Sequence, residues 1–210
     1  MDGAMAYLVA TVGCLAGVAG VVVAVLALRR SGAAGSRRPR DPFRLVDDDA
    51  DALRGDPRKL RPGDIVEIRQ TPYGVRGTLR IKEGAWVWYE HLLDDANGTK
   101  CWISVEEDPD LELVLWTAVP GSDLNPGAKK VTLDGQRYTS RESGQARFKG
   151  VGNTGLNPSG SMSYHDFRGP GGTRLSFESF EGGAWEVARG EVLHRAEVRI
   201  YPQADSTERL

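Results

Sequence analysis

Cysteine is scarce in this 210-residue chain, with only Cys14 and Cys101 present. Cys14 lies inside an apolar run, so neither a disulfide framework nor a cysteine-rich zinc module can be built. A surplus of positive charge is also missing. Lys and Arg total 27 against 29 Asp and Glu, a net of -2, whereas a general nucleic-acid binder carries a basic excess. The phosphate loop GxxxxGK(S/T), a GxGxxG turn after a strand, the HExxH zinc helix and the GxSxG elbow are all absent. The three histidines, His91, His165 and His194, have no Cys or second His at metal spacing. These absences leave no catalytic residue, metal or cofactor to assign and no nucleic acid to expect. Long helical periodicity is missing as well from Leu60 onward.

What the chain has is one long apolar run. Residues 6–28 carry no charge over 23 positions, and at about 1.5 Å per residue a helix of that length crosses a hydrocarbon core of about 30 Å. Five arginines follow it, Arg29, Arg30, Arg37, Arg38 and Arg40, and none precedes it. The positive-inside rule then predicts a single-pass inner (plasma) membrane protein, with residues 1–5 outside and the body in the cytoplasm. A cleaved signal peptide would need a basic leader and a shorter apolar core. The arginines are placed to meet anionic lipid headgroups. Gly13 and Gly17 form a GxxxG pair that would let two such helices pack as a dimer, although small residues are common in membrane helices for other reasons.

Residues 29–57 read as a basic, then acidic linker with one short helix at most. The chain is rich in Gly (26) and Pro (11), and from there on they punctuate period-two segments, the signature of short strands. Val75, Gly77, Leu79 and Ile81 alternate with Arg76, Thr78, Arg80 and Lys82. Asn97-Gly98, Asp134-Gly135 and Gly182-Gly183 are hairpin signals. Residues 120–127, with two Pro and two Gly, suggest a boundary. The fold class expected is mostly β: two small antiparallel β subdomains, 58–119 and 130–202, joined by a linker over 120–129 and placed behind one N-terminal transmembrane helix, with a tail from 203 to 210. The halves echo each other. Tyr89-Glu90-His91 precedes Gly98-Thr99-Lys100-Cys101, and Tyr164-His165-Asp166 precedes Gly172-Thr173-Arg174-Leu175. Internal duplication and chance likeness between hairpins both give this pattern.

Two further residue patterns bear on chemistry. Strand geometry sends His165 and Asp166 to opposite faces, so with Ser163 they cannot form a triad. His194 reads as a packed histidine on the apolar face of the last strand, and Cys101 as a buried structural thiol. The pairs Trp88/Glu90, Trp102/Glu106 and Trp185/Glu186 combine an aromatic face with a carboxylate. That combination can hold an organic cation, or it can be core tryptophans rimmed by glutamates.

The segments Leu60-Arg61-Pro62-Gly63-Asp64, Val75-Arg76-Gly77-Thr78-Leu79 and Trp88-Tyr89-Glu90-His91-Leu92-Leu93-Asp94-Asp95 resemble the bacterial family called domain of unknown function 4178. So do Trp102 to Asp108, Leu113 to Trp116, Glu142 to Arg147, Leu175 to Glu178, Trp185 to Val187 and Ile200 to Pro202. The resemblance covers roughly residues 58–202. It implies a membrane-linked role, membrane stress among them, and carries no catalytic residue. Arg outnumbers Lys 21 to 6, which points to a GC-rich genome such as an actinobacterium's. The function expected is a membrane-anchored cytoplasmic β domain that binds a protein partner or a ligand. The alternative is an enzyme with an acidic site between the two subdomains.

Overall fold

The computed structural model describes residues 53–203. The expected membrane span 6–28, Gly13, Gly17 and the five arginines lie outside the described residues, as do residues 204–210. Among the described residues no helix is long and apolar enough to cross a membrane.

Eleven strands follow one another: β1 (Ile65–Ile68), β2 (Thr71–Glu83), β3 (Trp86–Asp94), β4 (Lys100–Glu107), β5 (Leu111–Ala118), β6 (Lys130–Leu133), β7 (Gln136–Gly152), β8 (Ser159–Arg168), β9 (Thr173–Phe180), β10 (Glu186–Leu193) and β11 (Val198–Tyr201). All belong to one antiparallel sheet, in the order β11-β1-β2-β3-β4-β5-β10-β9-β8-β7-β6. A further pairing of β2 with β7 joins strands that are otherwise far apart in that order. The ring β2-β3-β4-β5-β10-β9-β8-β7 therefore closes into an eight-stranded barrel. Closure removes the edges that an open sheet would leave unpaired.

The barrel is made of two four-stranded meanders, β2–β5 and β7–β10. The two subdomains expected from the Pro/Gly-rich stretch are instead halves of one sheet. Residues 120–129 form a crossover within it, because β5 pairs with β10 over six residue pairs from Ala188↔Ala118 to Leu193↔Leu113. A Pro/Gly cluster marks a change of direction and does not by itself reveal what the flanking strands pair with. The Gly-Thr-basic echo falls at matching places, the starts of β4 and β9. The tyrosine echo does not keep its register, since Tyr89 packs outside the barrel and Tyr164 inside it.

The predicted turns form as their residues require. Asp134 and Gly135 both take positive φ, 50° and 76°, as a two-residue turn between β6 and β7 demands. The Arg61–Asp64 turn is held by Asp64, which is 2% exposed and accepts from the amides of Arg61 (3.0 Å) and Gln203 (2.9 Å). His194 is exposed, and the strand expected through 192–200 is interrupted by a 3-10 turn at Arg195–Glu197. Its Nδ1 accepts from the Ala196 amide at 3.2 Å, so it caps a turn instead of packing in the core.

Three apolar layers result. Leu79, Ile81, Ala146, Phe148 and Met162 fill one side of the barrel interior. Outside the first meander, β1 and β11 place Val66, Ile68, Val198 and Ile200 over Ile103, Val105 and Leu113. Outside the second, β6 and the crossover place Val131, Val119 and Leu124 over Phe167, Leu175 and Phe177. Both faces of most strands are thus covered. Alternation separates an inner core from an outer one here, where a half-buried sheet would separate core from water.

The β2–β7 seam explains the Val75-Arg76-Gly77 segment. The register slips between Val75 and Gly77, and Arg76 O accepts from the Asn153 amide at 2.9 Å. A Cβ on Gly77 would lie 2.6 Å from the backbone carbonyl of Asn153, and one on Gly152 2.6 Å from Arg76 O. Only glycine lets the two backbones approach this closely.

Candidate functional site

The barrel interior is not fully packed. It holds two chambers that meet at Glu90, Trp116, Ser176 and Glu178, residues that line both. An eight-stranded barrel is just wide enough to hold one small ligand.

The smaller chamber, about 240 Å³, is lined by seven carboxylates: Glu83, Glu90, Glu106, Asp108, Glu142, Asp166 and Glu178. Among the described residues no Lys, Arg or His lines it; the rest of the wall is Trp86, Trp88, Trp116, Tyr164 and two serines. Inward parity puts the strand carboxylates there, and Asp108 follows the end of β4. On β8 and β9, Tyr164 pairs with Glu178 and Asp166 with Ser176, so four polar inward positions cluster on one stretch of wall. Glu90 comes from the opposite meander, where it pairs with Leu79 and Ser104.

The wall residues are tied to one another. Trp88 Nε1 donates to Glu90 Oε1 at 3.1 Å, and Trp116 Nε1 donates to Ser104 Oγ at 2.9 Å. Tyr164 donates from its hydroxyl to Glu83 Oε2 at 2.5 Å, and its ring meets Trp88 edge-on at 5.8 Å. Ser176 hydrogen-bonds Asp166, and the Glu90 and Glu178 carboxyls hydrogen-bond each other. The last contact requires a proton between the two.

Ionisation is suppressed at Glu90, Glu178, Asp166 and Glu106. Glu90 is 8% exposed, and burial pushes its carboxyl up to about 7, against the Trp88 hydrogen bond. Glu178 is held well above the usual carboxylate range by burial, then by the charges of Glu90, Asp166 and Glu186. Asp166 is raised to about 6, mainly by burial. Glu106, at the exposed mouth, is raised by desolvation and by Glu112 and Glu142. Buried like charges cannot all ionise without a counter-charge. Among the described residues no three acidic, His or Cys groups are placed to hold a metal ion. The negative charge is spread along the walls and does not converge on a point. That distribution suits an organic cation, whose charge can face carboxylates while its carbon faces aromatic rings.

The larger chamber, about 830 Å³, is mostly apolar, with Leu92, Trp102, Ala118, Leu156, Phe180 and Val187 in its wall. Arg76 and Asp94 at its mouth neutralise each other at 2.5 Å.

Trp88, Glu90, Trp102 and Glu106 all face into the barrel. Trp88 and Glu90 are directly bonded. Trp102 and Glu106 part company: the tryptophan lines the larger chamber, the glutamate the smaller. Glu186 lines the larger chamber at its rim, while Trp185 is 42% exposed. Sequence reasoning missed Glu178, Asp166, Glu83, Glu142, Trp116 and Tyr164. Their signal was carboxylates at inward parity in strands whose two faces are both covered.

Other polar groups lie elsewhere. His165 faces outward, with Nε2 2.7 Å from Ser140 Oγ. His91 is 1% exposed, also outside the barrel; Nδ1 meets Thr78 Oγ1 at 2.9 Å and Nε2 has no hydrogen-bond partner. Burial lowers its ring to about 4. Cys101 is buried and its thiol is pushed up to about 11 by desolvation.

The acidic barrel coincides with a recognised sequence family. Residues 61–195 match the family described as Domain of unknown function (DUF4178), and the chain belongs to it. It is also similar to uncharacterised proteins of Mycobacterium bovis and of two strains of Mycobacterium tuberculosis. Each is 38% identical over 195 residues, covering 88% of this chain and 91% of the relative. No solved structure matches the chain.

Proposed function

We propose that the chain is a ligand-binding barrel held at the cytoplasmic face of the inner membrane by residues 6–28, and that its ligand is an organic cation. The observation that carries the reading is the smaller chamber: seven carboxylates and four aromatic rings around a cleft open at one end, with no basic side chain in the wall among the described residues. Burial favours the protonated form of the inner members, Glu90, Asp166 and Glu178. A cation there would replace the protons and use the aromatic faces as well. A flat protein-docking surface fits less well, because the exposed tryptophans, Trp86 and Trp185, sit at opposite ends of the barrel.

The test is calorimetric titration of the full chain with ethylammonium and tetramethylammonium at pH 8, in parallel with Glu178→Gln. Binding by the parent that is at least ten-fold weaker in Glu178→Gln, with no loss of thermal stability, supports the reading. Undetectable binding of both ions by the parent, or equal binding by the variant, refutes it. Membrane topology is tested separately by a reporter fused at residue 210. Alkaline phosphatase activity there would refute a cytoplasmic body.

One observation favours a second reading. Carboxyls raised toward neutrality in a cleft are what general acid–base catalysis uses, and this cleft lies between the two meanders. Turnover of any bound amine that is abolished by Asp166→Asn would move the chain from binder to enzyme.

A further inference from the structure

The chamber walls differ too much for a ligand that is charged along its whole length. The carboxylates belong to the smaller chamber, and they reach the larger one only at the junction, through Glu90 and Glu178. Beyond the junction the larger chamber's wall runs through Leu92, Trp102, Leu156 and Phe180. Its other charged groups do not call for a ligand charge. Arg76 is matched by Asp94 at 2.5 Å, and Lys100 and Glu186 are exposed at the rim. A volume of about 830 Å³ lies in the range that encloses a drug-sized molecule.

We infer that the ligand is an amphiphile with a single cationic head, whose ammonium group sits at the Glu90–Glu178 junction and whose hydrocarbon chain fills the larger chamber. The inference rests on the organic-cation reading above and adds the other half of the molecule. Geometry sets the polarity. Trp88 fixes Glu90 by the 3.1 Å indole bond, and Trp116, held by Ser104 at 2.9 Å, presents its ring to both chambers. The head therefore meets two carboxylates and an aromatic face at the one place where the apolar chamber begins. A second charge at the far end of the chain would lie against Leu156 and Phe180, where the neighbouring carboxylates, Glu181 and Glu186, are exposed at the rim; it would have no buried counter-charge, and burying an unpaired charge is strongly unfavourable.

The experiment is a chain-length series. The full chain in phosphatidylcholine nanodiscs, with empty nanodiscs subtracted, is titrated at pH 8 with ethyl-, butyl-, hexyl- and octylammonium, and with 1,8-diaminooctane. Each added methylene should tighten binding about four-fold, the equivalent of about 0.8 kcal/mol of apolar transfer. The diamine should bind at least ten-fold more weakly than octylammonium. Ala188→Phe, placed in the larger chamber's wall, should abolish the length dependence while sparing ethylammonium; Leu156→Trp serves if that variant does not fold. Binding of ethylammonium with no dependence on length, or a diamine that binds more tightly than octylammonium, overturns the amphiphile and leaves the cation reading standing. Failure of every amine to bind overturns both. Octanol binding as tightly as octylammonium would instead remove the role of the charged head.

Discussion

Glu90 on β3 and Glu178 on β9 face each other across the barrel and share a hydrogen bond, although no basic side chain lines their chamber. Two carboxyls in contact hold one proton between them at neutral pH, because ionising both would leave adjacent buried charges uncompensated. Near neutral pH the barrel is therefore less stable than it would be with neutral groups at these positions.

Glu90→Gln tests this directly. The folded-state value of about 7 lies above the ordinary 4.5, so the glutamate's contribution is complete below the ordinary value and is lost as pH rises through 7. At pH 8 the variant should be more stable than the parent by up to about 3 kcal/mol, at about 1.4 kcal/mol per unit, while losing cation binding. At pH 4.5 the gain should vanish. Chemical denaturation at the two pH values checks both; a less stable variant at pH 8 would show that Glu90 is needed for the fold.

The parent's own stability should peak near pH 5 and fall toward pH 8. Three inward groups, Glu90, Glu178 and Asp166, have raised folded-state values, with Glu83, Glu106, Glu142 and Glu186 adding negative charge nearby and Arg174 opposing it. Each is stabilising when protonated and loses that contribution as pH rises through its folded value. Below about pH 4 the exposed pairs Arg58–Glu107 and Arg69–Glu191 lose their carboxylates, and stability should fall again. Melting curves from pH 4 to 9, at fixed ionic strength, would show whether the maximum instead lies above pH 7.

His91 should push in the opposite direction. Its folded-state value of about 4 is below the ordinary 6.5, so acid favours the unfolded chain, and stability is lost as pH falls from 6.5 toward 4. His91→Leu removes that penalty. Relative to the parent, the variant should gain about 2 kcal/mol on going from pH 8 to pH 5. A difference that does not change with pH would place His91 in solvent contact.

Gly190→Ala should destabilise the barrel by about 1–3 kcal/mol through overpacking. A Cβ there would meet Trp116 Cζ3 at 2.5 Å and Arg174 Cβ at 2.8 Å. The displaced indole would leave Ser104, so tryptophan emission should shift as well. Combining the change with Trp116→Leu should recover most of the loss; strict additivity would mean that the ring is not what Gly190 accommodates.

Local features of this fold were legible in the sequence, and non-local ones were not. Asp134-Gly135 specifies its turn from two residues, Asn97-Gly98 marks a longer loop that the Asp95 side chain also holds, and the alternation around Leu79 and Trp102 fixes which side chains share a face. Trp88 and Glu90 could be grouped because they are two apart on one strand. Glu178 and Asp166 could not be joined to them, since that needs the strand order across both meanders. Barrel closure was hidden for the same reason: the β2–β7 seam leaves only Gly77 and Gly152 as traces, and isolated glycines have many explanations. His194 misled because a single 3-10 turn shifts the parity of everything after it.

The β2–β7 seam also sets the order of events on the ribosome. β2 ends at Glu83, and β7, which pairs its Gly77–Lys82 stretch on the edge that β3 does not cover, is complete only at Gly152. At roughly 5–20 residues per second, β2 waits about 4–14 seconds with that edge unpaired, and the first meander, complete at Ala118, waits about 2–7 seconds with the acidic chamber open to water. The wait ends later still for β1, whose partner β11 begins at Val198. A nascent chain of this kind is exposed to strand-edge aggregation during that interval, and Arg80 and Lys82 on the outer face of β2 put charge on a waiting strand.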